Sequence, residues 1–197
     1  MQNIMNEVAN FENVKNNIFI GAARKGTNRE EVVYATLYDV EMFFYLRIPS
    51  VSGVIKIGIK DMLKMWNISE EELLNIAATN TEREAVITSL GTLMSEMSGE
   101  DFDDIPSQLV ITNEYNMNGA GAFFMGAILD KACEMVRVDT ILVIPSSVHE
   151  LLVMPANELD REYMDKMVKE INASTVAERD QLADHTFLYN KGTGFIS

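Results

Sequence analysis

Residues Thr140 to Pro155, TILVIPSSVHELLVMP, decide the fold. Two apolar runs, Ile141–Ile144 and Leu151–Met154, flank the polar turn Pro145-Ser146-Ser147-Val148-His149-Glu150, so the stretch reads as a hairpin of two buried strands. Upstream, Gln108–Thr112 is a short apolar strand and Asn113 to Asn118 a polar loop. Gly119 to Val136 then reads as a helix, with Ala120, Phe123, Phe124, Ala127, Ile128, Met135 and Val136 on its buried stripe. Downstream, Leu159 to Ile171 reads as a helix with Leu159, Tyr163, Met167, Val168 and Ile171 inward, followed by a last strand, Thr186–Tyr189. Strand, long helix, strand is a crossover unit, whose two strands are expected to lie parallel and to be joined right-handedly.

The first half has another rhythm. Ile4, Val8, Phe11, Val14 and Ile18 recur at helical spacing, and a polar loop from Gly21 to Arg29 follows. Val32–Tyr38 and Val40–Ile48 read as strands, Ser50 to Gly53 as a turn, and Val54–Ile59 as a half-exposed strand. Ser69, with Glu72 three residues on and Ile68 placed to staple onto Leu73, marks the start of a helix from Glu70 to about Ala78. Thr81 to Met97 reads as a further helix with Val86, Leu90, Leu93, Met94 and Met97 on one face. The expected fold is α+β, a mixed sheet with packed helices. An N-terminal helix and antiparallel-strand lobe (1–97) and an acidic connecting loop (98–107, containing Pro106) precede a C-terminal β-α-β-β-α-β lobe (108–197), and the two lobes are compatible with one continuous domain.

Composition narrows the function. A net charge of −14 in 197 residues argues against a nucleic-acid-binding face, which needs clustered Lys and Arg. The single cysteine, Cys133, excludes an intrachain disulfide. The opening residues have acidic and polar groups where a signal peptide needs a basic flank and an apolar core, and no apolar run approaches the ~20 residues needed to cross a bilayer. The expectation is a cytoplasmic protein without membrane or nucleic-acid partners, acting on a protein partner or small ligand, with its oligomeric state open. No cofactor is expected.

The crossover places Thr112, Asn113, Asn118, Gly119, Ala120, Ser146, Ser147 and His149 at one pole of the sheet, where open sheets bind ligands. Asn113, Asn118, Gly119 and Ser147 are therefore ligand-binding candidates, with N–H groups near Gly119 able to receive an anion. A catalytic version makes Ser146 the nucleophile and His149 its base, with Asp184 or Glu150 orienting the imidazole and the helix start serving as oxyanion hole. Asp184-His185 is a second carboxylate–imidazole candidate. Against these stand local roles, since Asn, Ser and His are favoured at caps and turns, and no G-x-S-x-G elbow surrounds Ser146. Gly21-Ala22-Ala23-Arg24-Lys25-Gly26-Thr27 superficially matches a P-loop, but Lys25 precedes the second glycine and no helix is expected after it, which excludes nucleotide hydrolysis. His149-Glu150 lacks the second histidine of a zincin, so no metal site is expected. The leading expectation is a non-catalytic interaction or regulatory domain; the alternative is a hydrolase or transferase using Ser146 and His149.

Val110-Ile111-Thr112-Asn113, Asn118-Gly119-Ala120 and Ile144 to Glu150 with Val153 and Pro155 resemble the recurring signature of a bacterial family, domain-of-unknown-function family 5688. The resemblance continues through Met167 to Asn172, Leu182 to His185, Asp39 and Leu63 to Leu73, and spans about Phe11 to Tyr189; the Gly21–Arg29 loop departs from it. It implies kinship and carries no activity with it.

Overall fold

The computed structural model describes residues 7–48, 53–102, 108–156 and 161–197. The expectations placed on Ile4, on Pro106 and Leu159, and on most of the turn at 50–53 lie outside the described residues.

The chain begins with a helical turn, α1 (Phe11–Val14), capped by the Asn10 side chain, and a 3-10 turn at Lys15–Asn17. Ile18 does not continue that helix. Two asparagines of poor helix propensity precede Ile18-Phe19-Ile20, and the chain enters strand β1 (Ile18–Arg24). With β2 (Val33–Leu37), β3 (Val40–Arg47) and β4 (Val54–Lys56) it forms an antiparallel sheet in the order β1-β3-β2. β1 occupies one edge of β3 along its length, so β2 and β4 share the other, β2 at Val40–Phe43 and β4 at Tyr45–Arg47. The loop expected from Gly21 is strand as far as Arg24, because Gly21 lies opposite Phe43, whose ring takes the place of a side chain. A Cβ on Gly21 would stand 2.5 Å from that ring.

Helix α2 (Ile59–Trp66) was read as strand at its start; it docks the N-terminus through the Trp66 indole N–H, which donates to the Val8 carbonyl at 2.8 Å. Helix α3 (Glu70–Glu84) starts as expected, with the Ser69 hydroxyl accepting from Glu72 N–H at 3.1 Å, but runs two turns further. The helix expected over Thr81–Met97 is replaced. Thr81–Glu84 complete α3, Ala-Val-Ile-Thr-Ser forms strand β5 (Ala85–Ser89), and a separate helix, α4, covers Leu90–Ser98, with Met97 exposed. The apolar spacing suits a helix, yet β-branched residues paired residue for residue with the next strand win.

The second sheet contains β6 (Leu109–Asn113), β7 (Thr140–Ser147), β8 (Glu150–Pro155), β9 (Phe187–Asn190) and β10 (Gly194–Phe195), in the order β10-β9-β7-β8-β6-β5. The α+β class holds. The expected parallel pair is split: β6 and β7 run the same way, but β8 lies between them and every neighbouring pair is antiparallel. The crossover itself is a 3-10 segment, Gly119–Phe124, followed by α5 (Gly126–Val136), not one continuous helix. α6 (Arg161–Ser174) returns the chain to β9. Val168 is buried as expected, with Met167 packed beside it, but Met164 and Asn172 take the inward places expected of Tyr163 and Ile171, which are 63% and 43% exposed. The shift follows from Asn172, whose amide is buried to donate to Ala183 O and Asp184 Oδ1, both at 2.8 Å.

The sheets are joined at the free edge of β1. Asn80 Nδ2 donates to Ile18 O and Ile20 N–H donates to Thr81 Oγ1, so α3 satisfies the strand's outward backbone groups. Gly121 lies against the same edge, so close that a Cβ there would sit 2.0 Å from Ile20 O. One cluster of buried side chains accordingly includes Ile20 and Phe44 of the first sheet, Phe123 of the crossover, and Ile111, Val143 and Phe187 of the second. A smaller cluster, with Leu142, Ile144, Met164 and Val168, lies under α6 on the opposite face. Among the described residues no helix is long and apolar enough to cross a membrane.

Candidate functional site

The tight turn between β7 and β8 is Val148-His149, with Ser147 paired to Glu150 across it. Every backbone group of the turn that faces inward is tied down. Val148 N–H donates to Asp180 O at 2.8 Å, and Val148 O accepts from Ala120 N–H at 3.3 Å. His149 N–H donates to Ser147 Oγ at 3.1 Å, and His149 O accepts from the Thr112 hydroxyl at 2.9 Å. The turn is thereby fixed to the end of β6, the start of the crossover and the 3-10 turn Glu178–Asp180.

This rigid turn aims the His149 ring. Its Nδ1 accepts from Asn118 N–H at 3.2 Å, which places the ring proton on Nε2. Nε2 faces Asp180 Oδ1 at 3.6 Å, and Asp180 is in turn 3.6 Å from Arg179 Nε. The imidazole lines a cleft of about 300 Å3 with Asn118, Asp180, Arg24, Lys56 and Arg179, between the end of β1 and the pole of the second sheet. Phe43 and Val148 contribute its apolar lining.

The cations come from the first sheet as well as the second. Arg24, at the end of β1, donates from Nη2 to Asp184 Oδ1 at 2.5 Å, while its Nε is buried without an acceptor. That hydrogen bond holds the Asp184 carboxyl below the usual carboxylate range, opposed by burial and reinforced by Asn172. Lys56 rests its ammonium 4.3 Å over the Phe43 ring and bonds to Asn28 Oδ1. Burial lowers its pKa, with Glu41 pulling the other way. Glu41, 5% exposed, is satisfied by Gly26 N–H and Asn28 and shapes the β1–β2 loop from beneath.

The Ser146–His149 pairing expected of a catalytic dyad is not formed. The Ser146 hydroxyl donates to Glu150 Oε1 at 2.9 Å and lines a different, mostly apolar cavity of about 260 Å3 under α6. The two residues are near neighbours in a hairpin, but the strand's alternation and its bulge between Ile144 and Ser147 direct them to different surroundings. Ser147 is spent on the turn. Asn113 accepts from Tyr115 N–H and Met117 N–H and donates to Met117 O, closing its own loop. Gly119 offers no anion site. The neighbouring Ala120 N–H is taken by Val148, a Cβ on Gly119 would meet His149 O at 2.6 Å, and the space beside Asn113 and Gly119 is about 10 Å3, no more than one water needs.

Asp184 and His185 join the two sheets instead of orienting His149. Asp184 binds Arg24 and Asn172; His185 Nε2 lies 3.1 Å from Asp39 Oδ1 in the β2–β3 turn, with its ring against Phe187. Cys133 is fully buried, and burial pushes its thiol up to about 11, so it offers no nucleophile. Among the described residues no group of three or more His, Cys, Asp or Glu side chains is gathered to hold a metal ion. Of the candidates read from the sequence, His149 and Asn118 line the cleft; Arg24, Lys56, Arg179 and Asp180 complete it and were not foreseen there. Arg24 enters the sequence reading only within the rejected P-loop match at Gly21–Thr27, and nothing in the spacing of the other three signals convergence.

The model of a family of unknown function, DUF5688, matches residues 1–191 of the 197-residue chain, and the chain belongs to that family. Neither the curated proteins nor the solved structures give a match.

Proposed function

We propose that this member of the DUF5688 family is a non-catalytic, acidic cytoplasmic binding domain, an interaction or regulatory module whose working surface is the His149 cleft. Its partner is a protein or a small ligand, and neither nucleic acid nor membrane takes part. One observation carries the reading: the His149 ring is used as a structural acceptor for Asn118 N–H, at 3.2 Å, and among the described residues no serine or cysteine lines its cleft. A general base for acyl transfer needs a ring nitrogen within hydrogen-bond reach of the nucleophile it activates. Here Nδ1 is occupied and Nε2 faces a carboxylate. Against the hydrolase or transferase alternative at Ser146 and the Gly119 helix start, the Ser146 hydroxyl is bonded to Glu150 and the Ala120 and Gly121 N–H groups to Val148 O and Asn118 O.

The test is a turnover screen with acyl and phosphoryl esters on the full chain and on Ser146→Ala, His149→Ala and His185→Ala. The expected result is no turnover that the substitutions change. A rate that falls a hundredfold or more in Ser146→Ala or His149→Ala, with the fold intact, overturns the reading.

A further inference from the structure

We infer that the His149 cleft is a binding site for a compact phosphate dianion, either inorganic phosphate or the phosphate of a small monoester. The inference rests on the binding-domain reading and names the ligand class.

The charge of the lining is the first support. Over the whole chain 30 acidic residues face 16 basic ones, yet among the described residues the cleft is lined by Arg24, Lys56 and Arg179 with Asp180 as its one carboxylate. In an acidic protein such an inversion focuses an attractive field on one concavity. Asp184 behind Arg24 and Glu41 near Lys56 offset part of this charge, so it is the convergence of N–H donors on one concavity, more than a net charge, that suits the several acceptor oxygens of a phosphate.

Hydrogen-bonding capacity is the second. Arg24 is bonded through Nη2 to Asp184 and leaves Nε without an acceptor, so its guanidinium has donors to spare. Lys56 has a neutral amide oxygen and an aromatic face as its partners, an arrangement that keeps the ammonium in place without neutralising it. The His149 proton is on Nε2, a neutral donor on the same wall. Asp180 lies 3.6 Å from both His149 and Arg179, within ion-pair range of each without a hydrogen bond to either.

Size is the third. About 300 Å3 is the lower end of ligand-pocket volumes, which fits a phosphate with few further atoms and excludes a dinucleotide. The site is preorganised on both walls: the backbone of the hairpin turn is held by four hydrogen bonds, two to main-chain groups and two to the Ser147 and Thr112 hydroxyls, and Arg24 ends a paired strand.

The experiment is a titration of the full-length protein with inorganic phosphate, followed by amide NMR shifts, with chloride exchanged for phosphate at fixed ionic strength so that screening stays constant. Free phosphoserine serves as a second probe of the monoester source. The expected result is saturable shifts of the Asn118, Val148 and Arg24 amides by at least one probe, with at least a tenfold weaker Kd in Arg179→Met and in Lys56→Met. Arg179 is 87% exposed in its side chain, so its substitution leaves the fold intact. Shifts that do not saturate, that map elsewhere, or that both substitutions leave unchanged overturn the inference. Turnover of a phosphate ester that depends on His149 would instead overturn the non-catalytic reading while leaving the anion site standing, so the two failures are distinguishable.

Discussion

Replacing Gly121 by alanine tests whether the crossover segment is really seated on the backbone of β1. The added Cβ would lie 2.0 Å from Ile20 O, 2.7 Å from Ile20 C and 3.3 Å from Gly21 Cα. All three are main-chain atoms, and Ile20 is held on that edge by Thr81 Oγ1 and within a strand paired along its other edge to β3, so no side chain can swing away. Overpacking costs typically 1–3 kcal/mol, and a contact this rigid belongs at the upper end, about 3 kcal/mol. For a chain of this size that is a fall in Tm of roughly 6–12 °C. The sign is diagnostic, because glycine to alanine at an unstrained open position raises stability by about 0.4–1 kcal/mol through the unfolded chain. The assay is urea unfolding, with the midpoint falling and the slope unchanged. Gly58→Ala is the control; nothing lies within 4 Å of a Cβ there, and its midpoint is expected to stay within about 0.5 kcal/mol of the parent. A Gly121→Ala protein with an unchanged or raised midpoint would refute the close approach and the shared core built on it.

Three further outcomes are expected. Asp184→Asn removes a carboxylate whose pKa is held below its ordinary 3.8 by Arg24; its contribution is present above that value and lost as pH falls through the folded pKa. Since the side chain is 44% exposed, the variant should lose about 1 kcal/mol or less at pH 7, and the difference should shrink in urea melts as pH falls below 3.8 through the lowered folded-state pKa. Met164→Ala should cost about 2–5 kcal/mol and Tyr163→Ala under about 1, the reverse of what the apolar stripe predicted; equal losses in thermal melts would put the face of α6 in error. Arg47, clasped between the Phe19 and Tyr115 rings at 4.3 and 3.7 Å, pairs with the largely buried Glu84. Glu84→Gln alone should cost about 3 kcal/mol, and Arg47→Met with Glu84→Met together markedly less than the sum of the single losses.

What was legible in the sequence was whatever is encoded locally. The hairpin at 140–155 announced itself through two apolar runs, and α3 through a side chain that caps it. Their boundaries follow from interactions within a few residues. β5 was hidden for the opposite reason. Val86, Leu90, Leu93 and Met94 satisfy a helical spacing, and only the register of Ala85–Ser89 against β6 makes part of that run a strand. Gly21 looked like the start of a loop because the ring that completes its strand comes from Phe43, twenty-two positions on. The site divides in the same way. Asn118 and His149 were drawn together by the crossover, a rule of chain connection. Arg24 and Arg179 belong to opposite ends of the chain, and their convergence depends on how the first sheet seats against the crossover, which no local pattern records.

That seating has a consequence for the protein's birth. β1 to β4 pair among themselves and can form as soon as Lys56 has left the ribosome. The edge of β1 at Ile20, however, waits for Gly121, about 100 residues later, which at 5–20 residues per second is roughly 5–20 s. Thr81 and Asn80 of α3 arrive earlier and already satisfy the exposed backbone groups of that edge. In order of synthesis, the helix therefore pairs Ile18 O and Ile20 N–H of the open strand edge before its permanent cover, the crossover, has been made.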